Sequence, residues 1–245
     1  MSTLAVFAPR RLVRLLSADA SNVARDPMLM LAAGMSLLPA PLLALTRPML
    51  DAAALSAFGV VGLSTLLVPI ALVLPAALVG WVTGFLLLED RDEGMLLALD
   101  TTPVGKSGFL AYRVGISACI TALIALYVCV LLAPGLDITL VCFLALLVAM
   151  EGAASAIILP AIARNKVEGL ALTKLTNMVA VVPLIALIPS PFRYAAGIVP
   201  SYWVGELLGL SGGYALPMWL MSVVALLVHG TVLIFVFGLF KRRAG

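Results

Sequence analysis

Six stretches of this chain are apolar over a length that only a bilayer or a very large core could cover: roughly 28–46, 57–88, 110–134, 138–163, 167–189 and 215–240. Crossing the hydrocarbon layer as a helix takes about 20 mostly apolar residues. The six stretches consume most of the 245 positions, so no linker is left that could hold a soluble domain. Hydrophobic residues reach 63% and charged ones only 11%, against roughly 45–50% and about 25% in soluble domains. The reading is an all-α integral membrane protein, one membrane domain over residues 1–245.

The segment before the first stretch reads differently. The run Leu4–Ala8 is short, and Arg10, Arg11 and Arg14 follow it instead of preceding it, unlike a signal peptide. From Arg10 onward, Arg10, Arg14, Ser17, Ser21 and Arg25 recur every three or four residues. Leu12, Val13, Leu16, Ala20 and Val23 fill the other side. Residues 1–26 are therefore expected to form an amphipathic helix on an anionic membrane surface. Asp26 is suited to cap, and Pro27 to open, the first span. With the N-terminus in the cytoplasm and six crossings, Arg10, Arg11, Arg14, Arg25, Arg91, Lys106, Arg113, Arg164, Lys166, Lys241, Arg242 and Arg243 all face inward. Only Arg47 and Arg193 face outward, and Lys174 lies within a span. That bias satisfies the positive-inside rule and puts both termini in the cytoplasm. The net charge of +3 thus reports topology, and gives no ground for a nucleic-acid partner.

Breakers punctuate the chain. Pro39, Pro41, Pro69, Pro75, Pro160 and Pro183 fall within spans, where proline removes a backbone donor. Gly80-xxx-Gly84 and Gly205-xxx-Gly209 have the spacing of close helix packing. Residues 190–213, just after Pro189, carry Pro191, Pro200, Gly212 and Gly213 among apolar and aromatic neighbours. This section is too broken to span and too apolar for a solvated loop. Short re-entrant helices dipping in from the outside are expected before the last span.

The most charged stretch follows the second span: Glu89-Asp90-Arg91-Asp92-Glu93-Gly94-Met95, then a Leu-rich run containing Leu97, then Thr101-Thr102-Pro103. A rigid cytoplasmic helix with charges at its start and an apolar face suits docking into a groove on another protein. The segment resembles the cytoplasmic loop of ABC-2-type exporter permeases, with Pro103 nine residues after Gly94. The family's usual Thr after the Gly is Met95 here, and its usual acid two positions further is Leu97. A second pair of stretches, Asn165–Ala171 and Gly197–Trp203, resembles the drug-export branch of that family, which includes fluoroquinolone exporters.

The resemblance implies a transmembrane subunit that exports a hydrophobic or amphipathic substrate, a drug, antibiotic, peptide or lipid. It implies a separate ABC ATPase as partner and a second permease chain, identical or similar. Glu89, Asp90, Arg91, Asp92, Glu93, Gly94, Met95, Leu97, Thr102 and Pro103, within residues 89–106, would form the ATPase-coupling interface. ATP and magnesium are expected on the partner, with no cofactor in this chain. Gly105-Lys106-Ser107 ends like a phosphate-binding loop, but Asp100 stands where that motif needs its first Gly.

Polar groups inside the spans mark a possible translocation path. Glu151 falls near the middle of span four, where an acid costs roughly 2.5–3.5 kcal/mol on insertion scales. Lys174 lies two turns into span five, near Asn177. The two charges either pair across adjacent helices or both line the path; alternatively Lys174 snorkels and Glu151 is protonated or structurally paired. His229, the single histidine, cannot make a metal site by itself and reads as a hydrogen-bonded core residue, with a gating or substrate contact on the path as the alternative. Cys119, Cys129 and Cys142 have no metal-ligand spacing. A rival reading is an ion-coupled secondary transporter or channel using Glu151 and Lys174, although no inverted repeat is visible. A membrane enzyme fits poorly, since the acids at 89–93 have no histidine nearby.

Overall fold

The computed structural model describes residues 9–95, 105–210 and 216–244. In chain order they form α1 (Pro9–Arg25), α2 (Pro27–Leu37), α3 (Pro39–Phe58), α4 (Leu63–Leu66), α5 (Val68–Asp92), α6 (Gly105–Leu132), α7 (Ile138–Ile162) and α8 (Lys166–Asn177). Two 3-10 segments, η1 (Met178–Leu187) and η2 (Pro191–Ile198), then lead to α9 (Tyr202–Leu207) and α10 (Met218–Ala244). No strand occurs among the described residues. Five helical stretches are long and apolar enough to cross a membrane: Leu63–Asp92, Gly105–Leu132, Ile138–Ile162, Lys166–Leu187 and Met218–Arg242. A sixth crossing exists if α2 and α3 count as one bent span. The chain is an all-α membrane protein.

Local chemistry explains the ends of these helices. Asp26 caps α2 by accepting from the backbone N–H of Met28 at 2.9 Å and of Leu29 at 3.3 Å, and Pro27 occupies the first turn. The pair α2–α3 bends by 47° at Leu38. Pro39 lacks the N–H a continuous helix would need there, and restricts the residue before it. Gly59 (φ 67°) and Gly62 (φ 69°) then turn the chain in a left-handed conformation that suits glycine. This corrects the expected second span. It begins near Leu63, not at 57, because two breakers lie inside what reads as an unbroken apolar run.

Two further boundaries move. Helix α5 continues to Asp92, so Glu89–Asp92 are its last turn and not a loop. Helix α6 starts at Gly105, five residues before the expected 110. The fifth stretch holds as an α-helix only to Asn177 and tightens into 3-10 geometry around Pro183.

Helices α5 and α7 form the centre. Between Val68 and Asp90 nearly every α5 residue is buried. In lipid, helix association rests on packing more than on the removal of apolar surface from water, so close approach matters most. Gly80 and Gly84 supply it. A Cβ on Gly80 would lie 2.3 Å from the Ser155 Cβ, and one on Gly84 would lie 3.1 Å from the Ala156 carbonyl oxygen. Helices α6 and α10 flank α7 on either side. The outer faces are apolar: Leu45, Phe58, Val130, Trp219 and Ile234 are each more than two-thirds exposed. A bilayer accommodates such a surface and water does not.

Candidate functional site

Three polar clusters sit on this scaffold. The first is the acidic end of α5. Asp90 is buried and accepts from Nη2 of Arg113 on α6 at 2.8 Å. The same guanidinium nitrogen lies 3.2 Å from Asp19 on α1, whose other oxygen accepts from the Tyr112 hydroxyl at 2.9 Å. The surface helix is thus pinned to α6, and through Arg113 to α5. Burial pushes the Asp19 carboxyl above its ordinary value, against the opposing pull of Arg113 and the Tyr112 hydroxyl.

Arg91 turns the other way. Its Nη1 donates to the carbonyls of Pro160 (3.1 Å) and Ala163 (3.2 Å), and its Nη2 to those of Ala163 (3.2 Å) and Arg164 (2.9 Å). Those carbonyls end α7, where intrahelical donors run out and the helix dipole favours a cation. Glu89 reaches Lys166 of α8 at 3.4 Å, and Lys166 also contacts Asp26 at 2.9 Å. The hydrogen bond from Lys166 holds the Asp26 carboxyl below its usual range. Gly94 (φ 74°) then closes the helix, with its N–H donating to the Arg91 carbonyl at 3.1 Å.

The second cluster is in mid-bundle. Nε2 of His229 on α10 lies 3.1 Å from Oε1 of Glu151 on α7, and Nδ1 lies 2.7 Å from the Ala225 carbonyl oxygen. Both side chains are buried. They border a cavity of about 120 Å³ that Met150, Ser155, Val179 and Pro200 also line. The third cluster lies in the section before the last helix. Nε of Arg193 donates to Oε1 of Glu206 at 2.7 Å, and neither side chain has any exposure. The Tyr202 hydroxyl donates to the same oxygen.

The residues expected from sequence divide accordingly. Glu89, Asp90 and Arg91 are engaged by Lys166, Arg113 and the α7 carbonyls within the chain, and Asp90 is too buried to offer a docking surface. Asp92, Glu93 and Met95 are exposed beside Gly94. Leu97, Thr102 and Pro103 lie outside the described residues. Glu151 pairs with His229 and not with Lys174, which is exposed on α8. The reason is register: α7 packs along α10 as well as meeting α8, and the buried partner at the level of Glu151 is the histidine. Asn177 closes α8, with its side-chain carbonyl oxygen buried and without a hydrogen-bond partner. Asp19 and Glu206 were not anticipated. Asp19 continues a Leu12–Leu15–Asp19–Val23 stripe that faces the bundle, while Val13 and Leu16 of the expected apolar face are exposed. An acid on that spacing in a basic helix was the available signal.

Five or six crossings in an all-α bundle, with a charged helix end and a buried polar pair, define a multi-pass membrane protein. Comparison with known proteins agrees. The family described as fluoroquinolones export permease protein Rv2686c-like matches residues 19–237, and this chain belongs to that family. Two curated Mycobacterium tuberculosis relatives are similar to it, each 28% identical over 242 residues, 96% of this chain and 94% of theirs. They are named fluoroquinolones export permease protein MT2760 (strain CDC 1551 / Oshkosh) and fluoroquinolones export permease protein Rv2686c (strain ATCC 25618 / H37Rv). No solved structure matches.

Proposed function

We propose that this chain is the membrane-spanning subunit of an ATP-driven exporter, with the ATPase on a separate polypeptide. One observation supports the reading above others: the acidic end of α5 is tied to four other helices. Glu89 leads to α8, Asp90 to α6 and α1, and Arg91 to α7. A push delivered beside Gly94 would move α5, part of the most buried of the candidate spans, together with its neighbours. Such a lever suits alternating access, in which one rigid unit rocks against another.

In this reading Asp92, Glu93 and Met95 present the accessible part of the coupling surface, continued by Leu97, Thr102 and Pro103. The partner supplies ATP and magnesium. Both termini lie in the cytoplasm, the protein resides in the plasma membrane, and two permease chains, identical or similar, act together. The substrate is a hydrophobic or amphipathic small molecule, and a fluoroquinolone is the first probe because the relatives are named for it. The test is co-purification with an ABC ATPase subunit co-expressed with this chain. Reversing the exposed charges, Asp92→Lys with Glu93→Lys, should weaken the association and drug-stimulated hydrolysis while leaving the ties of Glu89, Asp90 and Arg91 in place. An intact complex with full stimulation would sink the mechanism.

The Glu151–His229 pair favours a second reading, transport coupled to protons. It predicts drug efflux driven by a pH gradient in vesicles that lack any ATPase. Efflux that needs ATP and ignores the gradient decides for the first reading.

A further inference from the structure

We infer that the cavity between α1, α2, α5 and α6 binds an amphipathic organic cation, with its positive group at Asp19 and its apolar body along the helices. Resting on the reading of the chain as an exporter's membrane subunit, this names the charge class of the substrate. The cavity has a volume of about 640 Å³, within the range of about 300–1,000 Å³ usual for drug-sized ligands. Its wall along α6 runs from Arg113 to Tyr127, roughly 21 Å at the helical rise. Ala20, Ala33, Val79 and Val82 are among the residues that make it apolar. Asp19 and Arg113 are the charged residues of its lining, and they lie together where α1 meets α6.

The charge at that end does not balance. Nη2 of Arg113 serves two carboxylates, Asp90 at 2.8 Å and Asp19 at 3.2 Å. No other cation pairs with either acid among the described residues. With both acids ionised, two negative charges face one positive charge. Burying the surplus is costly, and burial already pushes the Asp19 carboxyl up. A cation seated beside Asp19 removes that cost. Exposure makes Asp19 the contact, since its side chain keeps 19% against 3% for Arg113. Nε and Nη1 of Arg113 have no hydrogen-bond partner, but they are buried, with the guanidinium carbon 5.0 Å from the centre of the Phe109 ring. An anion entering the cavity would meet the carboxylate first.

The cavity is open on its apolar side. Met30 and Leu37 of α2 and Ile120 and Leu123 of α6 line it and are exposed on a surface that a bilayer would cover. A ligand that partitions into the membrane therefore reaches it from the side. A phospholipid matches less well, because its phosphate would sit against the surplus carboxylate. Two kinds of variant separate charge from shape. Asp19→Asn removes the surplus charge and keeps an acceptor for the Tyr112 hydroxyl. Asp90→Asn removes it from a position outside the cavity wall. Ala33→Trp adds bulk to the α2 wall and changes no charge.

The experiment uses the full chain in a neutral detergent, without any ATPase. Two probes of nearly one shape and opposite charge, tetraphenylphosphonium and tetraphenylborate, are compared by equilibrium dialysis and thermal stability. The expected result is that the phosphonium binds and stabilises the parent chain and the borate does neither. Each Asn variant should weaken phosphonium binding roughly tenfold or more, and Ala33→Trp should abolish it. Equal binding of the two probes by the parent chain, or tighter binding of the borate, overturns the proposal. So does phosphonium binding that survives undiminished in Asp19→Asn or in Ala33→Trp. Association with the ATPase is measured separately. Charge-selective binding by a chain that associates with no ATPase supports this site while sinking the exporter reading. An intact, drug-stimulated complex whose permease shows no charge selectivity overturns the site alone.

Discussion

Glu151 of α7 and His229 of α10 meet inside the bundle, with Nε2 3.1 Å from Oε1. Nδ1 of His229 faces the Ala225 carbonyl at 2.7 Å, and a carbonyl can only accept, so Nδ1 carries a hydrogen. Nε2, 3.1 Å from Oε1 of Glu151, is then bare in the neutral ring and must accept from a protonated Glu151, or else is protonated and donates to a carboxylate. Both forms are net neutral, which suits a pair inside a membrane bundle.

A substitution series follows from that geometry. Glu151→Gln can still donate to Nε2, and should melt close to the parent chain. Glu151→Ala leaves a buried ring nitrogen unsatisfied and should cost about 1–3 kcal/mol. Thermal unfolding of the two variants in one detergent checks the order. Equal losses would show that the hydrogen bond contributes nothing to holding α7 against α10.

Arg91 should matter to α7 more than to its own helix. Its guanidinium satisfies carbonyls of Pro160, Ala163 and Arg164, which have no intrahelical donor. Arg91→Ala is expected to cost about 1–3 kcal/mol. Hydrogen exchange should quicken at Ala161, Ile162 and Ala163, some 70 residues away in sequence. Asp92→Asn, on the exposed side of the same turn, should leave that exchange unchanged. Arg91→Lys should behave like the alanine variant in part, since one ammonium cannot reproduce the planar fork.

How far this was readable from sequence depended on the range of the interaction. The spans, the existence of helix α1 and the Asp26–Pro27 start are set by periodicity and by neighbours in sequence, and they were legible, although the buried face of α1 follows Leu12, Leu15 and Asp19 and not Val13 and Leu16. Residues 57–62 misled because Gly59 and Gly62 are counted as apolar while their positive φ ends a helix. The side-chain pairs were not legible. Glu151 and His229 are 78 residues apart, and Tyr112 and Asp19 are 93. Which residues meet depends on helix order and register, which a single sequence does not spell out. Lys174 was attractive as a partner for Glu151 because spans four and five are consecutive, yet contiguity in the chain did not bring the charges together.

Asp19 offers a pH test of how α1 is held. Burial raises its carboxyl above the ordinary 3.8. The folded chain therefore binds this proton more tightly than the unfolded chain. The stability it contributes is complete below pH 3.8 and is lost as the pH rises through the folded value. Asp19→Asn removes that titration while keeping an acceptor for Tyr112. The stability of the variant relative to the parent should therefore improve as the pH rises from about 4 towards neutrality. Paired melting curves across that range measure it, and a constant difference would mean that Asp19 ionises at no cost in the folded protein.

The glycines at the α5–α7 contact should be intolerant where others are not. Gly80→Ala would place its Cβ 2.3 Å from that of Ser155, and two central helices would have to part. Overpacking of this kind costs about 1–3 kcal/mol. Gly238, in α10, has open space at the same atom. Gly238→Ala should be neutral or stabilise by up to about 1 kcal/mol through helix propensity. A lower melting temperature for the first variant and not the second is the expected outcome.

The Arg193–Glu206 pair should behave as a unit. Neither side chain has any exposure, and Glu206 takes bonds from both Arg193 and Tyr202 on one oxygen while its other oxygen has no hydrogen-bond partner. Glu206→Ala would strand a buried guanidinium, a loss of about 3–5 kcal/mol. Arg193→Met would strand the carboxylate, with a loss of the same order. Replacing both, Arg193→Met with Glu206→Leu, removes the uncompensated charge and should cost less than either single change. Trp203 provides a readout at the site itself, because its ring nitrogen donates to the Gly197 carbonyl at 2.9 Å within the same section. Its hydrogen bond should survive in the double variant and weaken in the single ones. If the double variant instead loses the sum of the two single losses, the charges act independently. The section before the last helix would then be held by its aromatic packing alone.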